Sequence, residues 1–171
     1  ADLFEKNFDL VAKEAQNDAV SFMVSYYKGT DNRDKFRKWV AKRGELLLEA
    51  GEIDAAIECY EECDIFSLDL NKLVFFADTR FEKGNIENSL KWYDHAYEIS
   101  KDPSFIKGVA DKFFGIGQTE VAITWYERYI TFEQTEEVVA ILRDHYIRNK
   151  LDDKAAELFD EYFDLIEEGA K

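Results

Sequence analysis

The chain predicts an all-α solenoid of stacked antiparallel helix hairpins, and three observations carry that expectation. Gly51, Gly84 and Gly117 stand 33 residues apart. Sliding the sequence by the same interval aligns further columns, among them Tyr60, Tyr93, Tyr126 and Phe159. Between these marks apolar residues recur every three to four positions, the period of a helix buried along one face. A unit of this length cannot bury its apolar stripe alone, so neighbouring units must stack.

Residues 1–33 read as a degenerate N-terminal helix pair or a capping helix. Leu3, Phe4, Phe8, Leu10 and Val11 have the spacing of one amphipathic helix, and Val20 to Tyr27 that of a second. A single helix over 2–28 is the alternative. Lys28-Gly29-Thr30-Asp31-Asn32 is the clearest break in the chain and supplies a loop and an N-cap.

Four repeats follow over 34–168, at about 37–69, 70–102, 103–135 and 136–168, with 169–171 as a tail. In the second, Leu73, Phe76 and Ala77 keep helical spacing, Glu82-Lys83-Gly84-Asn85 breaks it, and Ile86, Leu90, Tyr93 and Tyr97 resume it. Gly84 suits a left-handed C-cap that a side chain would disfavour. Two small columns allow close helix crossings and leave room for the Tyr/Phe knob: Gly44, Ala77 and Ala110, then Ala56, Ser89, Ala122 and Ala155. Tyr60, Tyr93, Tyr126 and Phe159 are therefore expected to be buried. Val40, Leu73, Ile106 and Val139 fill a branched apolar column. The last repeat departs at Arg143 and Lys150, yet the phase still places a turn near Lys150.

A small residue midway along the first helix, glycine at the turn, a small residue early in the second helix and an aromatic four residues on: this pattern resembles the tetratricopeptide repeat, over residues 37–168. The resemblance implies a right-handed superhelix whose first helices line a concave groove. It also implies a non-catalytic adaptor or scaffold that binds other proteins. A related half-repeat family of RNA-processing scaffolds shares Phe81-Glu82-Lys83-Gly84-Asn85, without its tryptophan and arginine positions. One subfamily of the resembling family clamps the C-terminal carboxylate of chaperone tails with Lys, Asn, Asn, Lys and Arg. The matching positions here are Ala41, Glu45, Phe75, Ser104 and Gly108, so none fits, and acidic side chains would repel such a tail.

Composition narrows the rest. The chain has 171 residues, 46% of them hydrophobic and 35% charged, the balance of a folded protein. Lysines and arginines number 22 against 37 acids, a net charge of −15, which argues against nucleic-acid binding. The two cysteines, Cys59 and Cys63, make no disulfide framework. Four apart on a helix, they are poorly placed to bridge, and Cys63 falls in a core column. Neither His95 nor His145 forms a metal spacing with them. No phosphate loop, nucleophile elbow or His-Glu-x-x-His is present, and Gly115-Ile116-Gly117 lies between helices where a dinucleotide site needs a preceding strand. Trp39, Trp92 and Trp125 sit at helical spacing with core residues. The expectation is no catalysis, no cofactor and no metal. No apolar run is long enough to span a membrane. Unpaired cysteines and the lack of an export signal favour the cytoplasm. The chain opens with Ala1, so a removed leader and a periplasmic or secreted home stay open.

One first-helix column is acidic in all four repeats: Glu45, Asp78, Asp111 and Asp144. At this acid content one such column arises by chance with probability of about 0.002, or about 0.07 over all 33 columns. Three residues on, and so on the same helical face, stand Leu48, Phe81, Phe114 and Ile147. Four before the acids are Ala41, Val74, Lys107 and Ala140. Together they describe a groove with a small-residue floor, an apolar rail and an acidic rail. The expected partner is a protein or peptide segment, extended or helical, that carries basic and apolar residues. Homo-oligomerisation is open. Two alternatives compete: the apolar column packs between first helices while the acids are merely solvated, or the chain is an assembly module that docks through its ends or convex face.

Overall fold

The computed structural model describes residues 7, 8, 11, 15–63 and 68–168, the side chains of 164–168 excepted. Its helices are α1 (Gln16–Lys28), α2 (Arg33–Glu49), α3 (Ile53–Glu62), α4 (Leu70–Glu82), α5 (Ile86–Ile99), α6 (Pro103–Gly115), α7 (Thr119–Ile130), α8 (Glu136–Arg148) and α9 (Asp152–Glu168). No strand occurs among the described residues. The fold class is the expected one, all-α and built of stacked helix hairpins. At the N-terminus, α1 contains the second of the two expected helices. The first falls mostly on residues outside those described.

Local chemistry sets the helix ends. The carboxamide of Asn32 accepts from the Lys35 amide at 3.1 Å, and Asp69 and Asp102 cap α4 and α6 in the same way. Pro103 opens α6, where its missing N–H costs nothing. The hairpin turns are one structure used four times. Gly51, Gly84 and Gly117 have φ of 79°, 74° and 77°, and Lys150 adopts the same left-handed conformation at 56°. In each, the amide one residue later donates back across the helix end: Glu52 to Leu47, Asn85 to Arg80, Gln118 to Phe113 and Leu151 to Tyr146. The turn geometry thus survives the loss of glycine at Lys150, at a cost of about 1–2 kcal/mol.

The chain divides into two compact units, residues 1–92 and 93–171, with the division inside α5. In the first, Val20, Met23 and Tyr27 of α1, Trp39 and Val40 of α2, and Ile57 and Tyr60 of α3 form the core with Leu73, Phe76 and Trp92. Phe8 meets the Trp39 ring edge-on at 5.1 Å. In the second, Ile106 and Phe113 pack with Trp125 and Tyr126, and Val139, Leu142 and Tyr146 continue the core to Leu158. The three tryptophans are all buried packing residues. Cys59 and Cys63 are free and buried, and burial pushes both thiols up, which keeps them inert.

The small columns do steric work. A Cβ on Gly44 would lie 2.5 Å from Cζ of Tyr60, so the ring occupies the space glycine leaves. Ser89 is fully buried with no hydrogen-bond partner for its hydroxyl, a cost that alanine avoids in the same column elsewhere. Tyr60, Tyr93 and Tyr126 are buried as expected, but Phe159 is only half-buried. The reason lies one repeat on: Phe76 of α4 stands 5.6 Å from Tyr60, and no helix follows α9 among the described residues.

Burial also governs the phenols. The Tyr60 hydroxyl is pushed up to about 12, chiefly by burial and then by Glu45. Tyr126 and Tyr146 are raised further still, by burial first and then by their bonds to Asp111 and Glu127. A phenol raised on folding stabilises fully below its unfolded value near ~10, and that stability is lost as pH rises through the folded value. Stability should therefore fall steadily above pH of about 10. In an alkaline titration, part of the tyrosinate absorbance should appear only as helical circular dichroism is lost. Complete titration of all nine tyrosines in one step near ~10 with helicity intact would contradict this.

Candidate partner-binding surface

In the first unit, α2 carries Glu45 and Leu48, and α4 carries Asp78 and Phe81. Glu45 is exposed and paired with Lys42 at 3.1 Å. Leu48, Asp78 and Phe81 are partly exposed. In the second unit, α6 carries Asp111 and Phe114, and α8 carries Asp144 and Ile147. Phe114 is 46% exposed and Ile147 54%. These are large apolar side chains facing water, and each stands one turn from an acid.

All four acids are already engaged within the chain. Lys42 holds Glu45, Lys107 holds Asp111 at 3.0 Å, and the Arg143 guanidinium lies 2.8 Å from Asp144. Asp111 also accepts from the Tyr126 hydroxyl at 2.6 Å, which ties the acid to the aromatic knob. Exposed pairs of this kind contribute little stability, about 0–1 kcal/mol each, so an incoming cation can share or displace them. The signal was available in the sequence: Lys42, Lys107 and Arg143 stand three, four and one residues before their acids.

Beside Phe114 in the second unit opens a cavity of about 300 Å³, lined also by Ile123, Ile141, Asp144, His145 and Arg148. His145 is buried, and its Nδ1 faces the Asn149 amide nitrogen at 3.2 Å. Its Nε2 stands 3.7 Å from the Glu120 carboxylate. The cavity thus joins an apolar wall to charged groups of both signs, Glu120 and Asp144 with Arg148.

A second acidic column went unread in the sequence: Glu61, Asp94, Glu127 and Asp160. It lies on the second helices and works differently. Glu61 is gripped by Arg80 in a two-pronged bond at 3.0 and 2.7 Å and accepts from the Trp92 indole at 3.0 Å. The Glu61 bond is the main cause raising the Arg80 guanidinium. Asp94 takes Arg128 at 2.6 Å. Glu127 takes the Tyr146 hydroxyl at 2.7 Å and Lys154 at 2.6 Å. Each donor comes from the next repeat within the same compact unit, so this column staples repeats together. Lys28 with Glu62 and Lys83 with Asp54 add further pairs between successive helix hairpins of the first unit. Part of the net negative charge is therefore structural.

Among the described residues no group of three or more His, Cys, Asp or Glu side chains could hold a metal ion, and no helix is long and apolar enough to cross a membrane. The tetratricopeptide-repeat family model matches residues 41–64, the end of α2, its glycine turn and α3. No curated protein sequence matches the chain. Similar solved structures include MamA, 16% identical, with 92% of each chain covered and a TM-score of 0.42. BtubC from P. vanneervenii is 14% identical over 96% of this chain and 76% of its own, with a TM-score of 0.41. A putative kinesin light chain of Podosopora anserina with nearly identical TPR-like repeats is 13% identical over 95% and 89%, with a TM-score of 0.41. At such identities and scores the weight falls on the matched repeat and on the same turn recurring at Gly84, Gly117 and Lys150. Residues 41–64 are thus similar to a tetratricopeptide repeat, and the chain has the all-α fold of stacked helix hairpins that goes with it.

Proposed function

We propose that this chain is a non-catalytic protein-interaction scaffold whose first helices bind a basic, partly apolar peptide segment or helix. The coarse part goes with the family, whose repeats build protein–protein interaction surfaces. The finer part is supported by one observation: Phe114 and Ile147 stand largely open to water, each three residues beyond an acid on the same helix. Lysines or arginines of the ligand would meet Glu45, Asp78, Asp111 and Asp144. Its apolar side chains would rest on Leu48, Phe81, Phe114 and Ile147. The apolar contacts supply most of the affinity, and the charges set on-rate and choice of partner.

The test is a peptide display selection on the immobilised chain, followed by kinetics on the enriched sequence. Enrichment of Lys/Arg interleaved with large apolar residues is expected. Asp78→Asn with Asp111→Asn keeps an acceptor for Tyr126 and should slow association by about three- to tenfold. Phe114→Ala should speed dissociation by about tenfold or more. Binding should weaken with salt yet persist in part at about 0.5 M, where exposed charges are screened. Enrichment of acidic peptides, or kinetics indifferent to both variants, would refute the groove reading.

A further inference from the structure

The cavity beside Phe114 has the parts of a side-chain pocket, and all of them belong to the second unit. Its apolar wall is Phe114 of α6, Ile123 of α7 and Ile141 of α8. The Phe114 ring meets the Tyr126 ring edge-on at 6.1 Å, and the Tyr126 hydroxyl is bonded to Asp111, so the wall is set in place. The polar part is His145, which lines the cavity and is 8% exposed. Its Nδ1 pairs with the Asn149 side-chain amide, and its ring meets Tyr146 edge-on at 6.0 Å. Nε2 makes no hydrogen bond among the described residues, because the Glu120 carboxylate at 3.7 Å is too far. The other repeats carry Leu46, Thr79 and Lys112 in this column, so the site is not a repeated feature of the scaffold.

We propose that this cavity takes the side chain of a tyrosine in the bound segment. The inference deepens the first-helix reading and rests on it for the segment that brings the tyrosine. At ~30 Å³ per water, a volume of about 300 Å³ has room for the ~8 non-hydrogen atoms of that side chain. Chemistry selects the head group. An imidazole nitrogen donates or accepts according to its tautomer, and a phenol hydroxyl does both, so it satisfies Nε2 in either form. An ammonium or guanidinium only donates, and meets Arg148 in the lining. A carboxylate only accepts, and meets Glu120 and Asp144. A neutral head avoids both like-charge encounters. An aromatic body suits the rest, lying against Phe114 and receiving the Arg148 guanidinium on its face. Serine and threonine lack that body. Phenylalanine lacks the hydroxyl and would leave Nε2 covered and unpaired.

The probe is p-cresol, the tyrosine side chain as a free molecule, titrated into the full chain with isotope-labelled histidine and followed by NMR. The chain has two histidines, so the His145 ring signals are identified by their loss in His145→Phe, and His95 is the internal reference. Saturable shifts of the His145 signals are expected at about 1–10 mM p-cresol, with His95 unmoved. Benzylammonium and p-toluate should bind about fivefold or more weakly. Phe114→Ala, at an exposed position, should weaken p-cresol binding about threefold or more while circular dichroism stays that of the unaltered chain. In a second arm, peptides selected on the chain should be enriched in tyrosine. Replacing that tyrosine by phenylalanine should cost about fivefold or more in affinity, a loss that vanishes on the His145→Phe chain. Unmoved His145 signals up to about 20 mM p-cresol would overturn the pocket, as would equal binding of the two charged probes. Peptides without tyrosine enrichment, or indifferent to its replacement, would overturn the tyrosine assignment. The p-cresol arm contains no peptide, so its failure is distinct from failure of the first-helix reading, which the paired Asp78→Asn and Asp111→Asn variant reports.

Discussion

Replacing Tyr93 with alanine should destabilise the chain by about 3–5 kcal/mol. Tyr93 is fully buried, with its ring edge-on to Phe113 at 6.0 Å and to Trp125 at 6.3 Å, and Phe105 at 6.4 Å. Its hydroxyl accepts from Lys112 at 3.2 Å. The variant removes apolar contact and aromatic pairing worth about 0.5–1.5 kcal/mol per ring pair. The walls that remain are large rings fixed by their own packing, so the cavity cannot collapse. Urea unfolding followed by circular dichroism reads the loss. A change below about 1 kcal/mol would mean that the aromatic column does not hold the repeats together.

Gly44→Ala should lower stability by about 1–3 kcal/mol, against a helix propensity that favours alanine by about 1 kcal/mol. The new methyl would stand 2.5 Å from Cζ and 2.6 Å from Cε2 of Tyr60, and the ring is anchored through its hydroxyl to the Ala41 carbonyl at 3.3 Å. Something must move, and the ring sits in the core. Gly108 is the control. It lies in the interior of α6 with open space where a Cβ would go, so Gly108→Ala should raise stability by about 0.5–1 kcal/mol. The same substitution in two helices of one protein should thus change sign, as a pair of melting curves would show. Equal shifts would remove the steric role assigned to the small column.

The 33-residue period made the hairpins and turns readable because both depend on local chemistry. A left-handed turn wants glycine, and a helix buried on one side repeats its apolar residues. Phase alone carried the fourth turn, where Lys150 stands in glycine's place. Side-chain pairing was less legible. The sequence shows that Glu45 and Glu61 each head an acidic column, but not that the first accepts a cation from its own helix and the second from the next repeat. That difference depends on which face packs against a neighbour, and Arg80 reaches Glu61 across 19 positions. The half-burial of Phe159 escaped for the same reason: its column predicts a knob, and only a following helix would supply the cover.

A ligand held by the acidic and apolar columns would lie along the first helices. Amide hydrogen exchange of the chain with and without a selected Lys/Arg-apolar peptide tests it most directly. New protection should appear around Glu45–Leu48 and Asp78–Phe81 in the first unit, and around Asp111–Phe114 and Asp144–Ile147 in the second. The middle of α3 and of α7 should exchange as before. Protection confined to α3 and α7, with the four first-helix segments unchanged, would contradict the account.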